Sequence, residues 1–362
     1  MNSNENFLIL PLQGAVLNED VNVFSDLYII NGNSDAKIDK ISNLMNSDRE
    51  TVKKMLMHMI NSRSNDFLKS PVLVYKTKLK NINLFRDYVL IAYYLIAILN
   101  AVYFAYVYPK NKIDLVSYMF TKKDRLEEFR VDIRKKNNHV LICNDFCKNF
   151  MCYPLNFNYE CYHELDWINK NNNKNTIKEV LDIIYKNDDL SKRFLRGFRF
   201  FQKAILTEKE ATCFNNEIKS DEILLLHIVL ECLLIKDTFA KNNSLKIRKY
   251  ISRIITLNDY KSKDVFNLIR NMTTSRGQYV HEGKYYKESN DKLSRILYMS
   301  DEEIDNYMKN KDSINNIPNL DLFKIVVAKV LIDNTIEISK LSDNCYNETT
   351  WFDKVEKVIK DR

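Results

Sequence analysis

Only five Gly and five Pro stand among the 362 residues of this chain, and this scarcity limits its fold more than any other feature. Strand-rich folds turn often, and their turns draw on Gly for positive φ and on Pro for a preset φ. A chain poor in both favours long helices joined by polar loops, here rich in Asn and Lys. The expected fold is therefore mostly α. Its length admits two domains of ordinary size, each able to bury a core. A composition 45% hydrophobic and 28% charged is that of a folded protein rather than a disordered one.

The first part of the chain departs from the helical rule. Apolar runs at Phe7 to Leu12, Val21 to Ile30 and Pro71 to Tyr75 read as strands. Between them, Ser47-Asp48-Arg49-Glu50 opens a helix whose apolar positions Val52, Met55, Leu56, Met59 and Ile60 recur at helical spacing. The stretch Tyr88 to Tyr108 carries no charge and is long enough to cross a bilayer. Flanking Arg86 and Lys110 suit a span, whereas Tyr93, Tyr94 and Asn100 inside the run do not. The weight falls on a buried helix running into a strand over Tyr103 to Tyr108, stopped by Pro109, with no membrane partner.

Cys143, Cys147, Cys152, Cys161 and His163 are residue types that bind zinc, but they lack the doubled, closely spaced pairs of the common knuckles. Buried thiols are expected, with no metal and no cofactor. Seven Cys at irregular spacing also argue against a disulfide framework. The first residues show no basic stretch followed by an apolar core and a cleavage site, so a cytoplasmic location is expected. A formal charge of +7 allows an anionic partner without demanding one.

The polar run Asn169 to Asn175 reads as a linker or exposed loop. The expected organisation is an α+β domain over 1–168, a linker with a connecting helix over 169–190, a helical bundle over 191–342 and a tail helix over 343–362. In the bundle, helices are expected from Ser191, from Asp221 to Lys236 after a Ser220 cap, from Ser244 to Ile255, from Lys263 to about His281, and from Leu320 to Leu341. The second is apolar on nearly every side beyond its first turn, apart from His227 and Glu231, and must be central.

The fourth of these helices holds the main oddity. Val265, Leu268, Ile269, Met272, Tyr279 and Val280 form an apolar stripe, and Arg276 falls near its centre. An unpaired guanidinium facing a core is costly, so Arg276 needs a carboxylate, a phosphate or a wet cleft. A buried partner such as Glu231 would make it a packing device. Glu231 can equally serve Arg248, and His227, one turn from Glu231, reads as a core His. A titratable His281 follows five residues on, just before Gly283, which suits a left-handed helix end. On a straight helix His281 points about 140° away from Arg276. Either the chain turns before Gly283, or Arg and His meet across a dimer.

Arg276 with His281, four residues between them, fits the Arg, four to six residues, His pattern of HEPN domains. Its context is Arg193-Phe194-Leu195-Arg196-Gly197-Phe198-Arg199-Phe200-Phe201, then Asp221 to Leu234, then Arg248, then Tyr279-Val280-His281-Glu282-Gly283. In this succession residues 190 to 340 resemble the ApeA-like HEPN group. The resemblance implies an all-α HEPN bundle acting as a homodimeric, metal-independent endoribonuclease on RNA. The expected role is that of a toxin or antiviral defence effector. The N-terminal domain would then sense a trigger ligand or phage component. In this chemistry His281 is the general base or acid and Arg276 holds the scissile phosphate. Tyr279 and Tyr285 are candidates for stacking on bases. Gly277 departs from the pattern, since a polar residue commonly follows the Arg; it suits close approach of another backbone. It also supports the alternative, a catalytically silent HEPN module that dimerises and binds RNA.

Overall fold

The computed structural model describes residues 6–12, 15, 17–31, 34–61, 71–77, 85–107, 138–144, 149–155, 165–186, 188–209, 216–236, 242–255, 261–286, 319–339 and 347–360. The fold is mostly helical, with an antiparallel sheet formed by the first part of the chain. The chain divides into two compact units, one made of 1–100 with 110–185 and the other of 101–109 with 186–362.

In the first unit, strands β1 (Asn6–Pro11), β2 (Val21–Phe24), β3 (Leu27–Ile30), β4 (Val72–Thr77), β5 (Asn138–Asn144) and β6 (Asn149–Leu155) form one sheet in the order β2-β3-β4-β1-β5-β6. Every pairing is antiparallel, with Ile9 opposite Val74 and Ile9 opposite Leu141 fixing the central register. The run Val21 to Ile30, expected as one strand, is a hairpin: Ser25 and Asp26 turn the chain, and Val21 returns opposite Ile29. Helices α1 (Ser34–Met45) and α2 (Arg49–Asn61) cover one sheet face. Asp48 caps α2 by accepting the Thr51 N–H at 2.8 Å. Ile38, Ile41, Met45, Val52, Met55 and Leu56 pack there against Phe7, Ile9, Ile30, Val72 and Val74. The alternate residues Leu8, Leu10, Leu27, Ile29 and Leu73 are buried as well, so these strands are apolar on both faces.

The long apolar run is helix α3 (Phe85–Val102), continued by a π-helical turn over Tyr103–Val107. The strand expected over Tyr103 to Tyr108 is therefore absent from 103–107; Tyr108 and Pro109 lie outside the described residues. Val89–Val107 has a mean hydropathy of 1.9, long and apolar enough to cross a membrane, yet 72% of that window is buried within the protein. Asn100, costly in lipid, is buried inside. The Asn-rich run also differs from expectation. Helix α4 (Asn171–Leu181) begins within it, after a short 3-10 turn over Asp166–Asn169, because Ile177, Val180 and Leu181 bury one face and draw the polar residues into the helix. Of the Cys and His cluster, Cys147, Cys161 and His163 fall outside the described residues.

The second unit is a helical bundle. It comprises α5 (Asp189–Lys209), α6 (Asn216–Leu234), α7 (Asn243–Ile254), α8 (Ser262–Glu282), α9 (Asn319–Ser339) and α10 (Glu348–Lys360). Helix α6 starts at Asn216, so Ser220 lies inside the helix and is not its cap. Ile223, Leu226, Val229, Leu230 and Leu233 of α6 are fully buried, as befits the central helix. Gly197 of α5 sits in close packing: a Cβ there would meet Leu331 of α9 at 3.2 Å and Leu233 of α6 at 3.4 Å. Trp351 of α10 is buried against Phe194, rings 5.5 Å apart, and donates its indole N–H to the Leu233 carbonyl at 2.7 Å. The π-helical turn belongs to this unit: Phe104 packs edge-on to Phe201 at 6.0 Å, and the Tyr106 hydroxyl bonds the Asp333 carboxylate.

Candidate functional site

Polar contacts join helices α6 and α8. Glu231 meets Arg276, the Tyr279 hydroxyl donates to Asp221 at 2.7 Å, and the Tyr286 N–H donates to the Ser220 hydroxyl at 2.7 Å. Between these, His227 is fully buried, with its ring 5.2 Å from that of Phe323 on α9. Burial, then the Arg276 charge, pushes its pKa down to about 3 against the pull of a hydrogen bond to the Met272 backbone. His227 is thus a neutral core imidazole, unable to exchange protons with a substrate near neutral pH.

The Arg276 guanidinium reaches Glu231 through Nη1 at 2.7 Å, with the two side chains 29% and 25% exposed. Its Nε is sealed from solvent and has no hydrogen-bond partner among the described residues. Arg276 therefore stands at the edge of the core rather than within it, its charge balanced and its outer edge wet. Arg248 takes a different place. Its Nε donates to the Ser244 carbonyl at 3.0 Å, and its guanidinium lies 5.6 Å from the centre of the Phe266 ring. Of the two arginines, Arg276 is the one the Glu231 carboxylate holds.

His281 occupies the last turn of α8 and is exposed. The helix runs unbroken through Glu282 and ends at Gly283, whose φ of 64° lets the N–H groups of 283 and 284 turn back to the carbonyls of Tyr279 and Gln278. The chain thus turns after His281, not before it. Within one copy Arg276 and His281 stay about 140° apart around the helix and are not brought together.

Gly277 faces open space: nothing among the described residues lies within 4 Å of where its Cβ would be. Among the described residues no packing demands a glycine here. Val280, expected in the apolar stripe, is 51% exposed. Tyr285, 49% exposed, stands beside Tyr279 with ring centres 5.9 Å apart. Around Gly277, then, the surface offers Gln278, Val280, His281 and Tyr285 to solvent.

Two features of this region have no sequence signal. Asp221 anchors Tyr279, and nothing about an Asp near a helix start announces a tyrosine partner 58 positions away. Arg193 of α5 closes the carboxyl end of α6, donating to the carbonyls of Cys232 at 3.1 Å and Ile235 at 2.5 Å while lying over Phe352. Among the described residues no cluster of His, Cys, Asp and Glu could hold a metal ion. No protein-family model, no curated protein and no solved structure matches this chain.

Proposed function

We propose that this chain is a metal-independent endoribonuclease of the HEPN type, active in the cytoplasm as a homodimer and serving as a toxin or antiviral defence effector. The observation that carries this reading is the state of Arg276: a guanidinium at the rim of an apolar helix face, fixed by Glu231 yet 29% exposed, with an exposed imidazole on the same helix. Each residue supplies one half of phosphodiester chemistry. Two copies facing each other across α8 would set His281 of one beside Arg276 of the other.

In that shared site the ribose 2′-OH loses its proton to one imidazole and its oxygen bonds to phosphorus. The bond from phosphorus to the 5′-oxygen breaks, and a second imidazolium returns a proton to that oxygen. Arg276 binds the non-bridging oxygens, where charge builds. The products are a 2′,3′-cyclic phosphate and a 5′-hydroxyl, and DNA is inert because it lacks the nucleophile. Glu231 limits the side-chain freedom of Arg276 and so fixes its direction. Trigger sensing by the N-terminal unit belongs to the same proposal.

The Glu231 ion pair and Gly277 favour a second reading, a silent HEPN module in which Arg276 serves packing alone. One assay separates the two. Labelled RNA is incubated with the full-length protein in excess EDTA, beside Arg276→Ala and His281→Ala. Cleavage that persists in EDTA, leaves cyclic phosphate ends and vanishes in both variants is expected. RNA bound and never cut, or cut equally by His281→Ala, overturns the nuclease.

A further inference from the structure

Two residues one turn apart on α6, His227 and Glu231, meet two residues one turn apart on α8, Met272 and Arg276. The His227 ring hydrogen-bonds the Met272 backbone, and Glu231 accepts from Nη1 of Arg276 at 2.7 Å. Each contact leaves one polar atom over. His227 Nε2 and Arg276 Nε are both sealed from solvent, and neither has a hydrogen-bond partner among the described residues. The Arg276 charge bears on the His227 ring, so the two groups lie close together.

The two atoms are chemically complementary. With Nε2 unpartnered, the proton bound to the Met272 carbonyl sits on Nδ1, and Nε2 carries a lone pair. Burial and the Arg276 charge push the imidazole pKa down to about 3, which keeps that lone pair available near neutral pH. A guanidinium Nε always carries a hydrogen. Folded proteins rarely leave buried donors and acceptors unmade, and a water between one of each satisfies both. An apolar side chain in the same place would satisfy neither. The guanidinium is also planar and rigid, so fixing two of its nitrogens fixes the third. With Nε turned inward and Nη1 on Glu231, Nη2 is the nitrogen left to meet a ligand.

We propose that one water molecule binds between Arg276 Nε and His227 Nε2, and that through it His227 is a positioning residue for Arg276. The water accepts from the Nε–H and donates to Nε2. His227 touches no substrate; it keeps the Nε edge of Arg276 inward and thereby aims the Nη2 edge at phosphate. The water site does not depend on the ribonuclease reading, whereas its effect on cleavage rests on that reading.

A high-resolution crystal structure of the full-length protein should show one water within about 3.2 Å of both atoms. A water bonded to only one of them, or none, overturns the site. In Arg276→Met, a change at a partly exposed position, the water should be lost while His227 keeps its place. A water that stays there belongs to other groups and also overturns the site. His227→Phe keeps a ring beside Phe323 but offers no acceptor, and His227→Gln returns an amide oxygen near the position of Nε2. Arg276 should turn its Nε edge to solvent in the first variant and not in the second. In RNA cleavage His227→Phe should lower kcat about tenfold with KM little changed, and His227→Gln should recover most of that loss. Equal kcat in wild type and His227→Phe, or the same loss in both variants, overturns the positioning role. The outcomes also separate the two proposals. A shared water and a turned Arg276, in a protein that never cuts RNA, end the ribonuclease reading and leave the site. Metal-independent cleavage by a protein in which the two atoms share no water does the reverse.

Discussion

At the scale of single residues, the Arg276 ion pair and the buried His227 make opposite demands. The ion pair is partly exposed on both sides, so its worth to stability is small, about 1 kcal/mol or less. Arg276→Ala should therefore shift the denaturation midpoint little while abolishing RNA cleavage; a large loss of stability would mark it as a packing residue. His227 is the reverse case, a residue for stability and not for chemistry. Its folded pKa of about 3 lies below the value near 6.5 of an unfolded chain. Between those values the unfolded state binds a proton that the folded state refuses. Stability is thus fully present above about pH 6.5 and falls below it, by up to about 1.4 kcal/mol per pH unit. Urea unfolding at a series of pH values should show this decline, and His227→Phe should flatten it. An identical pH profile in both proteins would contradict the buried neutral imidazole.

At the scale of elements, two glycines in helix interiors predict contrary results. Gly277 has open space around its missing Cβ, so Gly277→Ala should raise stability by about 1 kcal/mol through helix propensity alone. If the glycine serves a close approach by a second copy, the same variant loses dimerisation and cleavage as it gains stability, and sedimentation read beside a thermal melt would show both. Gly197 is pressed between α6 and α9, and the branched side chain of Gly197→Val should destabilise by about 1 to 3 kcal/mol. Equal melting temperatures for the two variants would contradict this packing.

The elements also show what a sequence discloses. Periodicity locates the amphipathic helices of the bundle because one face of each is buried: Val265, Leu268, Ile269 and Met272 mark α8 at the spacing that the core requires. The same signal misled wherever burial was not the cause of the pattern. Val280 keeps the spacing but is exposed. The run Asn169 to Asn175 is polar because most of α4 faces solvent, not because it is a loop. Tyr103–Val107 is rich in aromatic residues, as strands often are, but here they pack around a π-helical turn. Arg276 is legible as an anomaly on an apolar face, and Glu231 as a partner for either Arg276 or Arg248. Asp221 and Arg193 were not, since their partners are distant in sequence and no local rule links them.

At the scale of the whole molecule, the second unit is discontinuous. Its helices span 186–362, yet it also includes the π-helical turn that extends α3. Phe104, 5% exposed and edge-on to Phe201, is thus a core residue of a unit that otherwise begins some eighty positions later. Phe104→Ala should destabilise that unit by about 3 to 5 kcal/mol. Hydrogen exchange would show it as lost protection in α5 and α9; protection unchanged in both would refute the assignment. This arrangement has a consequence in time. During synthesis the apolar turn leaves the ribosome several seconds before the helices that will cover it. Until α9 is made, Phe104 and Tyr106 must wait without their final neighbours. A chain of this design would be most exposed to chaperones and proteases while it is still being born.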